Sequence, residues 1–66
     1  MRSPVGRFID KHRITQRDLE EMSGVNRNTI SNVCNMRTYT PNMKNAKKII
    51  KALRKIDSNV DYDNFW

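Results

Sequence analysis

Apolar residues recur along this chain at steps of three and four, not at alternate positions. Val5, Phe8, Ile9 and His12 stand at i, i+3, i+4 and i+7, which is one face of a helix. Ser3 before Pro4 marks its start: an N-cap hydroxyl, then the residue best suited to the first helical position. Thr15 with Asp18 reads as a variant capping box, Asp standing for the usual Glu or Gln. Leu19 and Met22 give that short second helix its apolar side, and Gly24, tolerant of the left-handed conformation, stops it. Asn26 caps a third helix that runs to about residue 35. After the loop "MRTYTP", Asn42 caps a fourth, with Met43, Ala46, Ile49, Ile50 and Leu53 as its apolar face to about residue 54. Ser58 with Asp61 is another variant capping box and predicts a final short helix in "VDYDNFW". Strand-like alternation, repeats and low-complexity segments are absent from the sequence. The expectation is an all-α fold, a compact bundle of about five short helices joined by loops of about two to six residues, with residues 1–66 as one domain.

The third helix is oddly composed. Between Val25, Ile30 and Val33 stand Asn, Thr, Ser and a single Arg. Asn, Thr, Ser and Val each cost roughly 0.5 kcal/mol relative to Ala in a helix interior. A solvated face would ordinarily be filled with Glu, Lys, Gln or Ala. With the three apolar residues turned inward, Arg27, Asn28, Ser31, Asn32 and Asn35 form one continuous outward face. Asn offers a donor and an acceptor side by side, matching adenine N6 and N7, and Arg matches guanine O6 and N7. Glu would repel phosphates, and long Lys side chains would bind any DNA without choosing a sequence.

Charge points the same way. Thirteen Lys and Arg stand against seven Asp and Glu, a formal net of +6. Residues 57–66 hold Asp57, Asp61 and Asp63 and no base, so the rest carries thirteen bases against four acids. A basic body with an acidic tip suits a polyanion on one face. Sixty-six residues bury only a modest core. Cys34 is the sole cysteine, which rules out a disulfide within one chain, and one Cys with one His makes no zinc cluster. A lone thiol, no signal-peptide run and nothing near the roughly 18 apolar residues of a membrane span lead us to expect a soluble cytoplasmic protein. Paired carboxylates, an activated nucleophile and a phosphate-cradling glycine loop do not occur, so no enzyme activity and no cofactor are expected.

Two helices around a tight glycine turn are a helix-turn-helix candidate, here "TQRDLEEMSGVNRNTISNV". Thr15-Gln16, Leu19, Gly24-Val25-Asn26 and Thr29-Ile30-Ser31 resemble the pattern of the Cro and C1 repressor family, the lambda-repressor-like or XRE-type helix-turn-helix. "TPNMKNAKKIIKAL" is similar to that family's fourth helix and "VDYDNFW" to its last, so the resemblance spans roughly residues 5 to 65. It implies a lambda-repressor-like bundle whose second and third helices form the helix-turn-helix. The third would be the recognition helix in the major groove of double-stranded DNA. The resemblance puts base contacts on Arg27, Asn28, Ser31 and Asn32. It puts phosphate contacts on Gln16, at a helix N-terminus, and on Asn35, which ends the third helix. Arg37, Thr38 and Tyr39 in the following loop, and Arg17, Asn42 and Lys44 near helix starts, are further phosphate candidates. Family members usually bind as two-fold dimers, so a homodimer is expected, formed in solution or only on DNA, with no membrane and no small-molecule ligand.

Three residues or segments depart from the family pattern. Glu20 replaces a small residue where the second and third helices cross; Met36 replaces the Gly after the third helix, which would put Asn35 in the left-handed conformation; and "RKIDSN", residues 54–59, is longer than the usual connection and alters how the last helix docks. The lysines of the fourth helix read as a solvated face with only its N-terminal end near DNA, since a membrane role would need the apolar side that the core takes. His12 and Cys34 read as structural, and Phe65 and Trp66 either close the core or meet a second copy. The expected function is a sequence-specific DNA-binding transcription regulator of phage, prophage or bacterial type, a repressor acting by occupying an operator. One alternative is a protein-binding accessory factor or antirepressor that keeps the fold. The other is a charge-only RNA-binding or nucleoid protein, which would have no need of Asn28, Ser31 and Asn32.

Overall fold

The first helix begins where the sequence puts its cap. In the computed structural model, which describes residues 2–66, the Ser3 hydroxyl accepts from the Gly6 N–H at 3.0 Å and Pro4 opens α1, Pro4–Lys11. Arg13, at φ 59°, turns the chain out of α1 through the left-handed region, and the Ile14 N–H reaches back to the Ile9 carbonyl at 2.8 Å. A β-carbon makes that conformation cost roughly 1–2 kcal/mol. Nothing in the sequence announces an arginine there.

In α2, Gln16–Ser23, the capping box is complete: Thr15 Oγ accepts from Asp18 N and the Asp18 carboxylate accepts from Thr15 N, both at 3.0 Å. Hydrogen bonding of the carboxylate by Thr15, its backbone N–H first and then its hydroxyl, holds the Asp18 carboxyl below its ordinary range. Gly24 ends α2 at φ 71°, and its N–H donates to the Glu20 carbonyl at 2.9 Å. α3, Arg27–Asn35, and α4, Met43–Arg54, start alike: Asn26 and Asn42 accept from the N–H of Thr29 and Asn45 at 2.9 and 2.8 Å.

The elements pack α1 on α3, α3 on α2, and α2 on α4. Val5, Ile9, Leu19, Val25, Ile30, Val33, Cys34, Ile49, Leu53 and Val60 form one buried cluster between them. α1 meets α3 backbone to backbone, because a β-carbon on Gly6 would collide with the Cys34 carbonyl oxygen. Burial pushes the Cys34 thiol up to about 11, which keeps it protonated and inert.

The structure corrects three expectations. Met43 is not a core residue: it is 59% exposed at the first position of α4, and the buried side of that helix begins with Ala46. Asn35 is not left-handed; it stays helical, and Met36 leaves α3 in an extended conformation at φ −110° and ψ 110°. The last element is a single 3-10 turn, Tyr62–Asn64, capped by Asp61 and not by Ser58. Its boundary is set by Arg54, whose Nε donates to the Val60 carbonyl at 3.1 Å and whose Nη2 pairs with Asp61 at 2.9 Å. A Val60 carbonyl held by arginine is diverted from helix, while Asp57 ties the Asn59 N–H into a turn at 3.0 Å.

Phe65 packs edge-on against Phe8 at 5.6 Å, and Trp66 lies 5.4 Å from Tyr62 and 6.0 Å from Phe65. Both terminal aromatics are half-buried against the core. Among the described residues no helix is long and apolar enough to cross a membrane.

Candidate nucleic-acid interface

α3 owes its orientation to the residues it buries. Ile30, Val33 and Cys34 are sealed against α1 and α2, which turns the opposite side outward. On that side Arg27, Asn28 and Asn35 are exposed, and Ser31 and Asn32 are half-buried. Arg27, Asn28 and Asn32 make no side-chain hydrogen bond or ion pair among the described residues. Three polar side chains held on a rigid helix and left without partners are available to a ligand.

Asn35 is the hub of a small network at the end of this face. Its Oδ1 accepts from Arg2 Nη1 and, at 3.5 Å, from Gln16 Nε2, and its Nδ2 donates to Ser31 Oγ at 3.4 Å. The fold thus brings Gln16, Ser31 and Asn35 together from the start of α2 and along α3. Gln16 is the first residue of α2, where backbone N–H groups lack helical partners and the helix dipole favours an anion.

The remaining candidates surround this face less tightly. Arg17 is exposed and lies 3.8 Å from Glu21, an i,i+4 pair that contributes little so far into solvent. Arg37 and Thr38 are exposed in the loop after α3, where Tyr39 is half-buried against the core. Lys44 is exposed in the first turn of α4. Asn42 has its side-chain oxygen engaged in capping.

A cleft of about 690 Å³ separates α2 from α3, and Gln16, Arg17, Glu20, Arg27 and Ser31 stand along it. Glu20 is half-buried and lines this cleft. Two guanidinium groups share the cleft with two carboxylates, those of Glu20 and Glu21. Among the described residues no three His, Cys, Asp or Glu side chains gather as a metal site.

Arg2 is the residue that sequence reasoning missed. Its Nε and Nη2 grip the Asp10 carboxylate at 3.1 and 3.0 Å while Nη1 holds Asn35. It ties the segment before α1 to the far end of α3. No spacing rule links residue 2 to residue 35; only the α1–α3 packing does.

A family model described as helix-turn-helix, of the Cro/C1 type, matches residues 7–58. No curated protein and no solved structure matches the chain. The family match runs from within α1 to beyond α4, well past the two helices that carry the motif itself. A match of that extent carries more than a shared turn: the chain belongs to the Cro/C1-type helix-turn-helix family of DNA-binding proteins.

Proposed function

We propose that this protein is a sequence-specific double-stranded DNA-binding transcription regulator of phage or bacterial type. It acts as a repressor in the cytoplasm by occupying an operator, without a cofactor. The observation that carries the reading is the outward polar face of α3, on which Arg27, Asn28 and Asn32 make no side-chain hydrogen bond or ion pair among the described residues. Arg27, Asn28, Ser31 and Asn32 read base edges in the major groove, and Gln16, Arg17, Asn35, Arg37, Thr38 and Lys44 meet phosphates on either side. The Gln16–Asn35 contact supports this division, since the two candidates nearest the groove edge already lie together and present their amides as one unit.

Size supports a homodimer on the site. The Cα body measures 24 × 24 × 23 Å. Successive turns of the major groove on one face lie about 34 Å apart, so one copy covers one half-site. Two copies related by a two-fold axis then read a near-palindrome.

The test is selection from a randomised duplex pool at about 150 mM salt, where non-specific retention is weak. A near-palindromic motif with half-sites about one turn apart is the expected result. Weak, salt-sensitive retention of every sequence overturns the reading. That outcome would favour the protein-binding accessory role, for which the Glu20 carboxylate at the α2–α3 cleft is the supporting observation.

A further inference from the structure

On α4, away from the α2–α3 cleft, lies a second concavity of about 560 Å³. Met43, Ala46, Ile50 and Tyr62 supply apolar lining, and Lys47 and Lys51 stand at its edge. Positions 43, 47, 50, 51 and 54 follow helical spacing, so this is one continuous stripe of α4. We propose that this groove docks an acidic amphipathic helix of another protein.

The apolar part needs an occupant of its own kind. Met43 is 59% exposed, and it has no place in the core that α4 helps to build. Methionine is flexible and polarisable and packs against varied apolar partners. Ile50 and the Tyr62 ring extend the same lining toward the C-terminal turn. α4 has 12 residues, so the stripe is about 18 Å long at 1.5 Å per residue, room for about three turns of a second helix.

The edge sets the sign of the occupant. Lys44, Lys47, Lys48, Lys51 and Arg54 are on α4, which contains no acid. The one acid lining the groove, Asp61, is paired with Arg54 at 2.9 Å. The lysines therefore carry uncompensated charge into the groove edge. Two copies joined face to face here would set Lys47 and Lys51 against their own duplicates, an arrangement that like charge opposes. A phosphodiester backbone would answer the lysines and leave Met43 and Tyr62 uncovered. A helix with apolar residues at i, i+3 and i+4, flanked by Asp or Glu, answers both.

The probe is a synthetic peptide of about 14 residues, four helical turns, with a Leu face and Glu elsewhere. Its counterpart has Lys in place of Glu. Methyl resonances of Met43 and Ile50, with Trp66 fluorescence reporting on the adjoining Tyr62, follow binding to the full chain. The Leu/Glu peptide should shift both methyls saturably, and the Leu/Lys peptide should not. Lys47→Glu with Lys51→Glu, both at exposed positions, should weaken the first peptide at least tenfold and create binding of the second. The proposal is overturned if the Leu/Glu peptide leaves the Met43 methyl unmoved. It is equally overturned if the charge reversal changes nothing, if the methyl shifts follow protein concentration alone, as for a second copy, or if only duplex DNA moves them.

Discussion

The backbone N–H of Ser3 donates to the carbonyl of Cys34 at 3.1 Å, and the Ser3 hydroxyl lies 2.9 Å from the same oxygen and also reaches the Val33 carbonyl. One buried serine thereby caps the start of α1 through Gly6 and satisfies carbonyls at the end of α3. The end of the candidate recognition helix is thus fixed by residues more than thirty positions upstream. On its outward side Arg27, Asn28 and Asn32 make no side-chain hydrogen bond or ion pair among the described residues.

The α1–α3 contact inverts an ordinary rule. Glycine inside a helix normally costs roughly 0.5–1 kcal/mol relative to alanine, so Gly6→Ala would ordinarily stabilise. Here the added β-carbon meets the Cys34 carbonyl oxygen. Overpacking of that kind costs about 1–3 kcal/mol. The expected result is a fall in Tm of roughly 4–8 °C per kcal/mol lost. A rise in Tm would mean that α1 and α3 do not approach as closely as described.

Cys34 predicts a pH effect with a definite sign. Burial raises the thiol from 9.0 to about 11, so the folded state resists its ionisation. The contribution to stability is full below about pH 9 and is lost as the pH climbs toward about 11, because the unfolded chain releases the proton first. Urea midpoints at about pH 8 and about pH 10.5 should separate more for the wild type than for Cys34→Ala. The thiol should also stay unreactive toward disulfide reagents until the chain unfolds.

Caps and spacing made most of this fold legible. Ser3, Thr15, Gly24, Asn26 and Asn42 mark element ends because a cap is a local bond, readable from neighbours. The proposed recognition face stands out in the sequence for a similar reason: its polarity contradicts helix propensity, and that conflict points to a ligand. What escaped was tertiary. The Ser58 box lost to Asp61 because Arg54 reached across to Val60, and the Arg2–Asn35 bond spans 33 positions. Met43 has helical spacing with the core residues yet lies a little beyond the buried arc.

The α3 face makes a prediction about specificity. Asn28→Ala and Asn32→Ala should each cost roughly 1–3 kcal/mol on the selected duplex and little on random DNA. Competition titrations with both duplexes measure the ratio directly. Equal losses on the two would contradict base reading by α3. Asn28 is exposed and Asn32 half-buried, so neither change should disturb folding, which circular dichroism checks.

Salt dependence separates the two kinds of proposed phosphate contact. Each phosphate neutralised by Lys or Arg adds about 0.9 to the slope of log K against log salt, through release of bound counterions. Arg37 and Lys44 carry charge, whereas Gln16 and Asn35 are amides that release none. Arg37→Ala and Lys44→Ala should each weaken binding to every sequence and flatten the slope by about 1. Asn35→Ala should weaken binding as broadly, because it removes the group that both Gln16 and Arg2 hold, yet leave the slope unchanged. Measuring affinity across a salt series for the three variants checks this. If Asn35→Ala flattens the slope as much as Arg37→Ala, then Asn35 acts by holding Arg2 on the DNA, and the arginine is the true phosphate contact.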